Sequence, residues 1–106
     1  MSTERVSVVK QAWQQLAGSK GSVSYDELVK RFNAAHHPRV LTREKKTETV
    51  LNDFTTGIKD YVERGSVSQD GFLKYYSDIN ATLPAEKDSY FVELVLKTWN
   101  ISPKAI

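Results

Sequence analysis

The sequence has 106 residues, 40% hydrophobic and 26% charged, which fits a single globular domain over residues 1–106 with room for one core and no need of a stapling metal. It contains no cysteine, excluding a disulfide framework, a thiol nucleophile and any Cys-based zinc site. The net charge of +2 is too small to imply a nucleic-acid partner by itself, and no apolar run approaches the roughly 18 residues of a membrane span.

The first ten residues carry Glu4, Arg5 and Lys10 and no apolar h-region, so no secretory signal is read there and an intracellular, cytoplasmic setting is expected. A first helix opens near Ser2 or Thr3, with Val6, Val9, Trp13 and Leu16 spaced along one apolar face, and ends at Gly18 and Gly21. Val23 then stands alone in a polar turn. Ser24 and Glu27 form an S-x-x-E capping box that opens a second helix, whose buried side is Leu28, Val29 and Phe32. That helix is expected to stop before His37-Pro38, because a residue preceding proline is pushed out of the helical region.

A third helix is predicted from about Arg43 to Ile58, with Val50, Leu51, Phe54 and Ile58 inward. A fourth starts after Ser68 and carries Phe72, Leu73, Tyr75, Tyr76 and Ile79. The stretch NATLPAEKD breaks the pattern, and Pro84 suits the first turn of a fifth helix over about 85–100, where its missing N–H costs least. Tyr90, Phe91, Leu94, Val95, Thr98 and Trp99 lie along its apolar stripe. The fold class is therefore all-α.

One segment occurs twice. GSVSYDELVKRF at 21–32 is answered by GSVSQDGFLKYY at 65–76, with six of twelve positions identical. Helix, loop, Gly-x-Val-Ser and helix, repeated, is the layout of an EF-hand pair: a glycine makes the sharp turn, an apolar residue pairs with its twin across a short β-bridge, and the exit helix follows. Gly21 and Gly65 are expected at the turns, Val23 and Val67 at the bridge. Hand 1 then covers about 3–37, a connector 38–42, hand 2 about 43–80, and an additional C-terminal helix about 85–100.

The connector His37-Pro38-Arg39-Val40, the exit helix Phe72-Leu73-Lys74-Tyr75-Tyr76 and the tail Trp99-Asn100-Ile101 together resemble the C-terminal half of calcyphosine-like EF-hand proteins. The resemblance spans Trp13 to Ile101. It implies an EF-hand pair of calcium-binding ancestry in a cytosolic or cytoskeletal setting, cilia or flagella included.

A calcium loop needs about six oxygen ligands, the last a bidentate glutamate. The first loop, AGSKGSVSYDE from Ala17 to Glu27, is only 11 residues and places Ala17, Gly18, Ser19 and Lys20 where acidic ligands belong. Glu27 survives, and its capping role accounts for it without a metal. The second loop, counted from Asp60, has Val62 and Arg64 at ligand positions and ends in Gly71 instead of the bidentate glutamate. No metal and no cofactor are expected, with one weak residual calcium site as the alternative.

Charge is concentrated between residues 30 and 46, where six Lys or Arg face the single Glu44, a local +5 in a chain of +2. His36 and His37 are adjacent, point different ways on a helix and suit a helix C-terminus better than a zinc site. No nucleotide, hydrolase or metalloprotease motif is present and no carboxylates pair for acid–base work, so no enzyme is read.

The expected function is a calcium-independent adaptor that docks an amphipathic helix or an acidic protein surface. The residues assigned to docking are Val9, Trp13, Phe54, Ile58, Tyr75, Phe91, Leu94 and Trp99, with a basic surface of Lys30, Arg31, Arg39, Arg43, Lys45 and Lys46. Against an open groove stands the reading that the fifth helix fills it with Phe91, Leu94, Val95 and Trp99. The other functional alternatives are a calcium sensor or buffer and a basic module for nucleic acid or anionic lipid.

Overall fold

The N-terminal helix α1, Thr3–Ala17, begins where Ser2 presents its hydroxyl to the Arg5 N–H at 3.2 Å, a local cap that satisfies one of the orphan donors of the first turn. The computed structural model describes residues 2–101, so the domain bounds 1–106 extend beyond the described residues at both ends. The inward stripe of α1 is Val8, Val9, Ala12, Trp13 and Leu16. Val6, expected inside, is half-buried, because α1 packs against two later helices at once and the wider contact selects Val8 and Ala12.

Strands β1, Ser22–Ser24, and β2, Ser66–Ser68, pair antiparallel with Val23 opposite Val67, as the repeat predicts. Both valines are buried while their serine neighbours face outward or sit half-covered, the period-2 alternation of a short strand. Each strand runs straight into a capped helix. Ser24 Oγ accepts the Glu27 N–H at 3.2 Å at the start of α2, Tyr25–Arg31. Ser68 Oγ accepts the Gly71 N–H at 3.1 Å at the start of α5, Gln69–Asn80.

Between these copies the chain departs from the sequence reading. Helix α2 ends at Arg31, well before His37, since Phe32 turns extended to stack on Phe54 with ring centroids 4.1 Å apart and the Asn33 N–H reaches the Thr98 carbonyl at 2.7 Å. A 3-10 turn, Ala34–His36, follows, and the expected connector 38–42 contains a one-turn helix, α3, Pro38–Leu41, with Pro38 in its first turn. Helix α4 covers Thr47–Ile58 instead of starting at Arg43. Arg43 sits at φ 64°, left-handed, and the N–H groups of Glu44 and Lys45 both turn back to the Arg39 carbonyl. Val50, Phe54 and Ile58 are buried on α4, Leu51 half-buried.

The last helix, α6, Asp88–Thr98, is preceded by a 3-10 turn, Ala85–Lys87, so Pro84 precedes that turn instead of lying within the α-helix. Its end is closed by a Schellman pair: the Ile101 N–H bonds the Leu96 carbonyl at 2.9 Å and the left-handed Asn100 bonds Lys97. The described residues thus form six α-helices and one two-stranded sheet, a mostly helical architecture. None of the described helices is long and apolar enough to cross a membrane.

α6 packs against α1 and the core closes around aromatic rings. Trp99 stands edge-on to both Phe32 and Phe54 at 5.4 and 5.5 Å, and its indole N–H donates to the buried Tyr76 hydroxyl at 2.6 Å. Burial raises the Tyr76 hydroxyl pKa, keeping it a neutral partner for that bond. The other polar anchor is Arg5, 2% exposed. Its guanidinium bonds Asp88 at 2.5 Å, Asn80 Oδ1 at 2.8 Å and the Pro84 carbonyl at 2.6 Å, and lies 5.2 Å from the Phe91 ring centre. A buried cation is tolerable only when paired in this way.

Candidate functional site

Three places hold the residues that the sequence singles out: the paired loops, the basic segment and the former groove between the helices. The loops are unequal. In the first, Gly18 takes the left-handed backbone at φ 60° whereas Gly21, expected to make the turn, has no positive φ, and a Cβ at either would meet nothing within 4 Å. In the second, Arg64 and Gly65 are both left-handed and Glu63 and Ser66 exchange both backbone hydrogen bonds, at 2.8 and 3.0 Å, closing a two-residue hairpin.

That hairpin brings Tyr61, in a 3-10 turn Lys59–Tyr61 after α4, over the start of α5. A Cβ at Gly71 would lie 3.2 Å from Tyr61 Cβ, 3.3 Å from the Tyr61 carbonyl oxygen and 3.3 Å from Val67 Cγ1. The Tyr61 hydroxyl donates to Asp78, fixing the ring outside the loop. Any side chain at position 71 therefore fits only if Tyr61 or Val67 gives by a few tenths of an ångström. Among the described residues no three His, Cys, Asp or Glu side chains converge as a metal would require. In the first loop Glu27, on the exposed side of α2, supplies its backbone N–H to the Ser24 cap.

The docking residues read from the sequence have a different fate. Val9, Trp13, Phe54, Ile58, Phe91, Leu94 and Trp99 are all buried and Tyr75 is half-buried. They form the protein's own interior, so in this conformation they do not present a groove to a partner; α6 occupies it, burying Phe91, Leu94, Val95 and Trp99, as the second reading of the fifth helix has it. The physical reason is the Arg5 anchor and the Trp99–Tyr76 bond, which tie both ends of α6 to α1 and α5.

The filling is incomplete. Between α3, α4, α5 and α6 a half-open cavity of about 300 Å³ remains. Phe54, Tyr75 and Leu94, three of the docking residues, line it together with Val50, Ile79 and Leu83. Gly57 permits this packing: a Cβ there would come within 2.9 Å of Tyr75 Cε1. At the rim stand two of the predicted basic residues, Arg39 and Lys45, with His37, Asp53 and Tyr90. Arg39 Nε donates to the Tyr90 hydroxyl at 3.1 Å and lies 3.9 Å from a Glu44 oxygen; Lys45 Nζ bonds Asp53 at 3.1 Å.

The basic segment does not form one patch. Lys30 and Arg31 line a separate polar hollow beside Asn33, Trp99 and Asn100, and Arg31 donates to the Leu16 carbonyl at 3.4 Å. Arg43 and Lys46 are exposed on the connector before α4.

His37 has a double position. It stands at two helix ends at once, closing the 3-10 turn Ala34–His36 and opening α3, where its Nδ1 accepts the Arg39 N–H at 3.1 Å, which leaves the ring proton on Nε2. Burial first, then the charges of Arg39 and Lys45, push its pKa down to about 4. His36 is separate, its Nδ1 3.1 Å from Asn100 Oδ1. The sequence reading missed His37, Asp53, Tyr90 and Leu83 as members of one site; Arg39 was read as part of the basic surface and His37 as part of the connector motif. No family model matches the sequence.

Proposed function

We infer that this chain is a non-catalytic EF-hand-type interaction module whose paired loops work without calcium and which docks a protein partner carrying an acidic surface. The observation that carries this reading is position 71, where the last ligand position of the second loop is a glycine with no side-chain oxygen to offer, and where even a Cβ would lie 3.2 Å from Tyr61 and 3.3 Å from Val67. The duplicated strand-cap-helix unit with Val23 opposite Val67 supports an EF-hand pair, as does the resemblance to calcyphosine-like proteins. That resemblance also favours a cytosolic, cytoskeletal or flagellar setting.

With α6 in the groove, an amphipathic helix has no open trough to enter, which leaves the exposed cations of the connector as the contact. Arg39, Arg43 and Lys46 lie around α3 and the start of α4, where a negative surface gains in association rate from their combined field.

Calcium titration followed by backbone NMR tests the loop reading. Gly21 and Gly65 are expected to stay still through micromolar calcium; saturable shifts at either would overturn it. Pull-downs from native extract with calcium and with chelator test the docking. The same partner is expected in both, and lost when Arg39, Arg43, Lys45 and Lys46 are neutralised; a partner held only with calcium favours the sensor alternative.

A further inference from the structure

We propose that the cavity between α3, α4, α5 and α6 is a binding site for a small apolar carboxylate, its tail held among Val50, Phe54, Ile79 and Leu94 and its carboxylate at Arg39 beside Lys45. Binding here does not depend on the state of the loops, and it shares Arg39 and Lys45 with the cations proposed for the protein partner.

Shape and size come first. About 300 Å³ corresponds to roughly ten waters of liquid volume at about 30 Å³ each, at the lower end of the range of small-molecule sites. A lining mostly of aliphatic and aromatic side chains, with its charged groups contributed by Arg39, Lys45 and Asp53, matches an amphiphile with one polar end. A partner helix presents several side chains along its length and needs a long trough; α6 leaves room for a single tail.

The rim holds two cations and two carboxylates. The Arg39 and Lys45 side chains, 46% and 37% exposed, meet Glu44 at 3.9 Å and Asp53 at 3.1 Å respectively. His37 is neutral near pH 7 because burial and the two cations disfavour its charged form. Among the described residues the only hydrogen bond from the Arg39 side chain is through Nε to the Tyr90 hydroxyl, which orients the guanidinium and leaves its terminal nitrogens for the planar, two-oxygen contact that carboxylates make with arginine. An alcohol would gain no charge-assisted bond, and an amine would find the Asp53 carboxylate already paired with Lys45.

The test is titration of the full chain with decanoate, decanol and acetate, read by calorimetry and by amide shifts. Decanoate is expected to bind saturably, with shifts clustered at Val50, Phe54, Tyr90 and Leu94. Decanol and acetate are each expected to bind at least about tenfold more weakly, since each lacks one half of the recognition. Arg39→Gln with Lys45→Gln, both at partly exposed positions, should weaken decanoate about tenfold and leave the spectrum dispersed. Leu83→Trp, at the cavity wall, should block binding; if it does not fold, the rim variant still decides. Equal affinity for decanoate and decanol would overturn the proposal, as would shifts mapping to Val92 and Leu96, which line a separate hollow along α6 with Ser89 and Ile101, or no saturable binding. An acidic, leucine-bearing peptide that binds the same residues more tightly than decanoate would assign the cavity to a protein partner and overturn it too.

Discussion

The two sides of α6 are built on different principles. Toward α1 the helix is sealed: Phe91 and Val95 are fully buried, and Arg5 spreads its guanidinium over Asp88, Asn80 and the Pro84 carbonyl. Toward α4 the same helix meets rigid rings, Phe32 flat on Phe54 and Tyr75 edge-on to Phe54 at 5.4 Å, and a cavity of about 300 Å³ is left over. Directional hydrogen bonds on the α1 side determine where the helix lies; planar side chains on the α4 side then cannot flow into the remaining space. Position is set on one side, and a vacancy suited to a ligand results on the other.

Breaking the sealed side should cost most. Arg5→Ala removes a buried charge-assisted cluster and is expected to destabilise the fold by about 3 kcal/mol, measured by urea denaturation. A loss well under about 1 kcal/mol would mean that apolar packing alone holds α6. Trp99→Phe probes where α6 turns toward the rings: the aromatic contacts largely persist, but the buried Tyr76 hydroxyl loses its indole donor, an expected cost of about 1–3 kcal/mol. Should the two substitutions be equal, the contrast between the sides disappears.

The cavity side gives the smallest effect, a pH dependence. His37 is held near 4 in the folded protein against about 6.5 when unfolded. Between those values the unfolded chain binds the extra proton, so the stability His37 contributes is fully present above about pH 6.5 and is lost as pH falls toward about 4. His37→Asn keeps a side-chain acceptor for the Arg39 N–H and removes the titration. The difference in stability between the two proteins should shrink or reverse over that window; a parallel pH dependence would show that His37 is not the group responsible.

Local features were legible in the sequence because short-range geometry decides them. Ser24 caps the helix it was expected to cap, the helix expected after Ser68 starts there, and Val23 meets Val67, since a cap needs only residues three apart and a two-strand register follows from the repeat itself. The ends of α2 and α4 were not legible. Phe32 leaves its helix for a contact with Phe54 across the core, and Arg43 takes a left-handed backbone that its residue type disfavours. Arg5 was equally hidden: a charged residue occupies a place on the buried stripe of α1, and its acceptors come from residues 80 to 88.

The sequence by itself determined the helical class, the duplicated unit, the strand pairing and the missing loop ligands, all of which depend on residue type and spacing over a few positions. Tertiary structure decided that the apolar residues read as a docking surface belong to the core. Val9, Trp13, Ile58, Phe91 and Trp99 carry the same hydrophobic signature whether a partner or the chain's own last helix covers them. α6 is tethered to the groove at high effective concentration and anchored by Arg5, so it takes the place an external helix would need. What it leaves open, between Leu94 and the Arg39–Lys45 rim, is where the remaining chemistry of the fold is gathered.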